Sequence, residues 1–107
     1  MRTRSIPMEE ERETFEVRHV PAPPRGAFVI ERDAVRRGEM TYVRAGAKRI
    51  IIDHTFVDET LRGTGAGKQL VEAAVAWARA EQLKVIPLCP FAKATFERDE
   101  SLRDVLA

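Results

Sequence analysis

VDETLRGTGAGKQLVEAAVAWARA, residues 57–80, places Arg62 and three glycines, Gly63, Gly65 and Gly67, directly ahead of an apolar-periodic segment. From Gly65 to about Glu81, Leu70, Ala73, Ala74, Trp77 and Ala78 follow helical spacing, while Lys68, Gln69, Glu72, Arg79 and Glu81 fall elsewhere. That pattern reads as a long amphipathic helix. The glycines ahead of it tolerate positive φ and let the backbone approach a ligand. The free N–H groups and dipole of a helix start favour an anion, so the physics points to phosphate. Two familiar phosphate loops fail on spacing. G-x-x-x-x-G-K-[ST] needs glycine where Arg62 stands and a hydroxyl where Gln69 stands; G-x-G-x-x-G needs glycine at Lys68 and an acidic residue closing the next strand. The plain alternative is a strand-to-helix connection enriched in glycine.

Upstream, AFVIERD (27–33), EMTYVRA (39–45) and KRIIIDHTFV (48–57) are β-branched and aromatic runs separated by VRRG and GA, and they read as an antiparallel meander. Alternation in the third run sets Ile50, Ile52, His54 and Phe56 on one face and Ile51, Asp53, Thr55 and Val57 on the other. Both faces are partly apolar, which marks a central strand. TFEVRHV (14–20) reads as a short edge strand, and PAPPRG (21–26) as a turn or connection. Downstream of the helix, LKVIPLC (83–89) reads as a buried strand parallel to 48–57. FAKATFERD and SLRDVLA read as short closing helices, with Ser101 the N-cap of the second. The fold class is therefore α/β (α+β): a mixed, mostly antiparallel sheet, one long helix crossing between two parallel strands, and short C-terminal helices. Residues 1–14 carry unpatterned charge and read as a flexible arm, leaving 15–107 as one domain.

Composition narrows the function classes. The chain has 107 residues, 44% hydrophobic and 33% charged, and its 18 basic and 17 acidic residues leave a formal net charge of +1. Such a balance gives no long-range field to gather nucleic acid or an anionic membrane. No apolar run approaches a membrane span and no leader-like apolar segment opens the chain, so a cytoplasmic protein is expected. One cysteine, Cys89, precludes an internal disulfide, and with only His19 and His54 at no ligand spacing a metal site is not expected.

Arg62-Gly63-Thr64-Gly65-Ala66-Gly67 fits the [RQ]-x-x-G-x-[GA] signature of the GCN5-related N-acetyltransferases, and it stands between the fourth strand and the long helix, as in that superfamily. Two blocks, DHTFVDETLRGTGAGKQLVEAAVAWAR and KVIPLCPFAKATFERDESLRDVL, resemble its compact single-domain branch, with a His-Thr-x-Val strand and a Leu-Cys-Pro-Phe segment. The resemblance covers about residues 15–107. It implies an acyltransferase that uses acetyl-CoA, with the amides of Arg62 to Gly67 around the pyrophosphate and Arg62 and Lys68 adding charge. It further implies a pantetheine arm lying in the splay between the strand ending at Phe56 and Val57 and the strand ending at Cys89. The acyl thioester then reaches His54, Thr55 and Cys89. An opened strand edge suits that arm, whose amides satisfy N–H and C=O groups that the splay leaves unpaired.

Cys89 and His54 are the catalytic candidates. A lone cysteine in VIPLCPF also reads as apolar filler, and a strand histidine as a hydrogen-bonded core residue. Against filler, Pro87 and Pro90 bracket Cys89, remove backbone donors and end the ladder at an opening, where His54 on the next strand is placed to take the thiol proton. Two routes stay open: direct transfer to an amine, with Cys89 as an acid, or an acyl-Cys89 intermediate. The family often supplies the acid as a tyrosine after the fifth strand, but here Phe91 and Phe96 occupy that segment and the only tyrosine, Tyr42, lies earlier. The family also carries two helices between its first two strands that wall the acceptor site, whereas VPAPPRG is all that this chain has there. The acceptor is thus a small amine or a protein segment, or a second subunit in a homodimer completes the wall. The competing classes are a non-catalytic CoA-binding module and a thiol redox sensor built on Cys89.

Overall fold

The computed structural model describes residues 13–107. Most of the expected arm, residues 1–12, lies outside the described residues. The element order is β1 (Arg18–Ala22), β2 (Arg25–Arg32), β3 (Val35–Arg44), β4 (Arg49–Val57), α1 (Ala66–Glu81), β5 (Lys84–Pro87) and α2 (Pro90–Arg98). Short 3₁₀ segments occupy Glu59–Leu61 and Glu100–Val105. The strands form one sheet in the order β1-β2-β3-β4-β5, antiparallel through β4 and then parallel between β4 and β5. This is the mixed α+β sheet expected from the hydrophobic periods.

The turns differ from the sequence reading. β1 runs on to Ala22 and β2 begins at Arg25, so Pro23 and Pro24 alone make the connection. Pro21 is tolerated because β1 is an edge strand. The β2–β3 turn falls at Asp33 and Ala34, with φ of 56° and 63°, and not at VRRG, which belongs to β3. Two left-handed residues give the turn whose twist matches a hairpin. Gly38 is accordingly no turn residue: it is buried in β3, and a Cβ there would lie 3.6 Å from Leu70 Cδ1.

One irregularity in β4 changes the site. Tyr42 pairs with Ile52 and Thr41 with His54, so Asp53 is an extra residue opposite β3. A β-bulge of this kind resets the alternation. Ile50 and Ile52 stay in the core beside Tyr42, after which Thr55 and Val57, paired with Met40 and Gly38, take the core-side face. His54 and Phe56, paired with Thr41 and Glu39, turn to the other face and are exposed. The strict alternation across 48–57 is thus corrected. The bulge is held by its carboxylate: Asp53 accepts from Thr41 Oγ1 and Arg25 Nη2, each at 2.6 Å. Burial opposes the charge on Asp53, but these two donors outweigh it and hold its pKa below the ordinary value.

The core lies between the sheet and α1. Phe28, Ile30, Met40, Ile50 and Ile52 meet Leu70, Val71, Ala74 and Ala78, all at most 2% exposed. Val71 and Val75 widen the apolar stripe beyond the residues read from the sequence, and Trp77 packs at its margin. Full burial of side chains such as Leu70 contributes about 1.5–3 kcal/mol each, which is what selects this face. α2 and the C-terminal 3₁₀ segment add Phe96, Leu102 and Val105. Asp99, not Ser101, caps that last segment, accepting from Ser101 N at 3.0 Å and Ser101 Oγ at 2.5 Å. Among the described helices none is long and apolar enough to cross a membrane.

Candidate functional site

β4 hands the chain to α1 through a tightly bonded loop. Asp58 caps the first 3₁₀ turn, accepting from Thr60 N at 3.0 Å, and Leu61, 1% exposed, anchors the turn in the core. Hydrogen bonds from Thr60 above all, with the nearby Arg37 and Arg62, hold the Asp58 pKa below its ordinary value. Thr64 Oγ1 donates to the Leu61 carbonyl. Gly63 and Gly65 have φ of 79° and 89°, the left-handed region that glycine enters freely. Gly67 serves another purpose, since its φ is not positive and a Cβ there would overlap the Phe91 ring of α2. The sequence reading of three conformational glycines therefore holds for two of them.

α1 starts without a cap. Gly65 occupies the N-cap position and makes no side-chain bond. Among the described residues, the amides of Gly65, Ala66, Gly67 and Lys68 have no acceptor. Four free donors and the positive end of the helix dipole thus face a cavity of about 400 Å³. Thr55 and Val57 of β4 form one wall, the loop from Leu61 to Gly65 a second, and Phe91 a third. Gln69, at the position where a metal-binding hydroxyl was sought and not found, instead docks the N-terminal segment. Its Oε1 accepts from Phe15 N at 2.9 Å and its Nε2 donates to the Glu13 carbonyl at 2.5 Å.

The other end of the site is where β5 parts from β4. Their pairing runs from Arg49–Lys84 to Ile52–Pro87, and then the amides of Leu88 and Cys89 both donate to the Ile52 carbonyl, at 2.9 and 3.2 Å. Beyond that point β5 leaves the sheet, so Asp53 to Val57 keep an edge with no β5 partner. Pro90 at the first helical position starts α2 at once, which makes Cys89 its N-cap. The Cys89 sulfur accepts from Ala92 N at 3.3 Å and lies 3.1 Å from Thr55 Oγ1. The amide and the N-terminus of α2 thus both meet that sulfur. Cys89 itself is 6% exposed, and Thr55 Oγ1 links it to the cavity wall.

Of the expected site residues, the fold brings Val57, Arg62, Gly63, Gly65, Ala66, Gly67 and Lys68 around one cavity with Thr55, turns the Thr64 hydroxyl back onto the Leu61 carbonyl, and sets Cys89 behind Thr55. It does not bring His54 to Cys89. The Asp53 bulge turns the imidazole to the opposite face, and the sulfur's polar side-chain neighbour is Thr55. Phe56, 46% exposed, also points its side chain away and offers only backbone. Phe91 as a cavity wall and the Ala92 amide as a donor to the sulfur are not read from the sequence, although Pro90 at the head of a helical run is a readable helix-start signal. His19 lies elsewhere, stacked on Phe28 at 4.4 Å, with its Nε2 2.6 Å from Tyr42 Oη. Among the described residues no group of three potential metal ligands occurs.

Comparison with known proteins bears on this geometry. A sequence model of GCN5-related N-acetyl-transferases matches residues 27–105. No curated protein sequence matches the chain. The structure of a GCN5-like candidate N-acetyltransferase from Staphylococcus aureus is 35% identical, with a TM-score of 0.67 over 87% of this chain and 88% of that one. A Bacillus subtilis acetyltransferase in complex with CoA gives a TM-score of 0.57 at 16% identity, over 70% of this chain and 53% of that one. Aminoglycoside N-acetyltransferase AAC(6')-Iy in complex with CoA gives 0.52 at 19% identity, over 76% and 68% of the two chains. At such identities the last two show the fold alone.

Proposed function

Because the chain belongs to the GCN5-related N-acetyltransferase family, we propose that it transfers the acetyl group of acetyl-CoA to an amine, with the chemistry at Cys89 and Thr55. The observation that carries this reading is the parting of β4 and β5 after Ile52–Pro87. It leaves an unpaired β4 edge beside a cavity that has the free amides of α1 at one end and, at the other, Thr55 backed by the helix-capping thiol.

The residues fit a CoA thioester. The amides of Gly65 to Lys68 suit a pyrophosphate, with Arg62 and Lys68 adding positive charge. The unpaired edge of β4 from Asp53 to Val57 suits the two amides of a pantetheine arm, which bond as an added strand would. At the far end the thioester sulfur meets the Thr55–Cys89 pair. In direct transfer the amine attacks the carbonyl, the carbon–sulfur bond breaks, and the departing CoA sulfur takes the Cys89 proton. Ala92 N–H and Thr55 O–H then stabilise the Cys89 thiolate until it takes the extra proton from the newly acylated nitrogen, leaving the neutral amide. In the two-step route the Cys89 sulfur attacks and its proton goes to the departing CoA sulfur; an amine later attacks the acetyl-cysteine carbonyl, the bond to the Cys89 sulfur breaks, and that sulfur takes the proton the nitrogen loses. Both routes use the same proton, and neither requires His54.

The test is incubation of the whole protein, as wild type and as Cys89→Ala, with acetyl-CoA and a panel of small primary amines, reading free CoA thiol and intact protein mass. Wild type is expected to release CoA and the variant not, with acetyl-CoA binding kept in both. An acetyl adduct on wild type alone identifies the two-step route, and turnover without adduct the direct one. Equal thiol release by Cys89→Ala removes Cys89 from the mechanism, and absence of acetyl-CoA binding overturns the whole reading.

A further inference from the structure

A second cavity, of about 170 Å³, lies across Phe91 from the first and is lined by Lys68, Phe91, Thr95, Arg98 and Asp99. It shares Lys68 of α1 and Phe91 of α2 with the main cavity, so the two adjoin at these side chains. α2 begins at the Cys89 end of the site and spans nine residues, about 13 Å at 1.5 Å per residue. Its last turn therefore arrives beside the first turn of α1, where Lys68 Nζ meets Asp99 Oδ2 at 3.2 Å. The cavity at the free amides of α1 is thus neighboured by a pocket with two cations, Lys68 and Arg98.

Resting on the CoA reading above, we propose that this pocket holds the 3′-phosphate of the CoA nucleotide between Arg98 and Lys68. The amides at the start of α1 answer a pyrophosphate. A CoA carries a third phosphate, a monoester with about −1.5 to −2 charge near neutral pH, and that group calls for cations. Arg98 is available. Among the described residues it has no carboxylate partner, and the terminal carbonyls of α2 are served by Arg103, which donates to Phe96 O at 2.8 Å and Glu97 O at 2.5 Å. Arg103 also offsets the negative end of the α2 dipole that would oppose an anion there. A guanidinium offers two parallel donors to phosphate oxygens, the geometry in which arginine exceeds lysine. Asp99 counts against the phosphate but fixes Lys68. Bonds from Ser101 first, and then from Lys68, hold its pKa below the ordinary value, so near neutrality it is charged. Two cations against one carboxylate leave the pocket positive. The consequence is a preference for CoA over 3′-dephospho-CoA that loop amides alone would not create.

Titration calorimetry of the full chain with CoA and with 3′-dephospho-CoA tests this. Wild type is expected to bind CoA about 10- to 100-fold more tightly, the range that one or two charge-assisted hydrogen bonds supply. Arg98→Gln brings the two ligands within about twofold by weakening CoA alone, and Arg98→Lys, which keeps the charge and loses the fork, falls between. Equal affinities in wild type overturn the subsite, as does an unchanged preference in Arg98→Gln. If neither ligand binds, it is the CoA reading that fails, and the subsite with it.

Discussion

At the start of α1 the chain leaves polar groups open, and beside the C-terminal half of the same helix it closes them. Among the described residues, the open end has four unaccepted amides and an unpaired strand edge around a cavity. At the closed end His19, Phe28, Tyr42 and Trp77 pack ring to ring at 4.4 to 5.9 Å. There Arg44 sits 5.6 Å over Trp77, and His19 Nε2 meets the Tyr42 hydroxyl. Burial lowers the His19 pKa and raises that of Tyr42, the latter against the opposing Arg44 charge. Both shifts favour the neutral forms, so Tyr42 donates and the imidazole accepts. Each region contains a residue type associated with acid–base work, yet only the open one offers a ligand anywhere to go. Placement, not residue type, separates a site from a scaffold.

That contrast breaks if the closed end proves dispensable. Phe28→Ala, which empties a 2% exposed position among the rings, is expected to cost about 3–5 kcal/mol in chemical denaturation. The fraction still folded should bind CoA as wild type does, and lost affinity in that fraction would tie the cluster to the site. Next in size is Gly67→Ala. Its Cβ displaces Phe91 from the cavity wall, costing about 1–3 kcal/mol of stability and weakening CoA binding in the same protein. An effect on neither would mean that Phe91 moves freely.

Smaller effects sharpen the comparison. Because the His19 pKa is below its ordinary 6.5 in the folded chain, the unfolded chain takes up the proton first as pH falls. The contribution of His19 is therefore complete above 6.5 and declines as pH drops through the lowered folded value. Thermal unfolding across pH 8 to 5 should show a downward slope that His19→Gln reduces; an unchanged slope would assign it to other groups. The smallest effect belongs to His54→Ala. As an exposed residue on the far face it should alter stability by no more than about 0.5 kcal/mol and leave CoA release from acetyl-CoA near the wild-type rate. A large loss of turnover would restore the histidine to the mechanism.

Much of this molecule is legible from neighbours in the chain. The strand and helix periods, the glycine loop against a helix start and the proline-bracketed cysteine all depend on residues a few positions apart, and local sterics and burial patterns act at that range. The glycines show where the reading stops. Gly63 and Gly65 are explained by their own φ, but Gly67 answers to Phe91, 24 positions away in the chain (91 − 67 = 24).

The sequence by itself determined the element order, the mixed sheet and the glycine loop ahead of a helix start, because periodicity and glycine φ are properties of short segments. Only the tertiary structure decided which face each half of β4 presents. The Asp53 bulge is selected by Thr41 and Arg25, 12 and 28 positions distant, and it alone sends His54 outward and Thr55 to Cys89 across 34 positions. An alternation of period two cannot anticipate one inserted residue, since that residue is specified by carboxylate partners on two other strands.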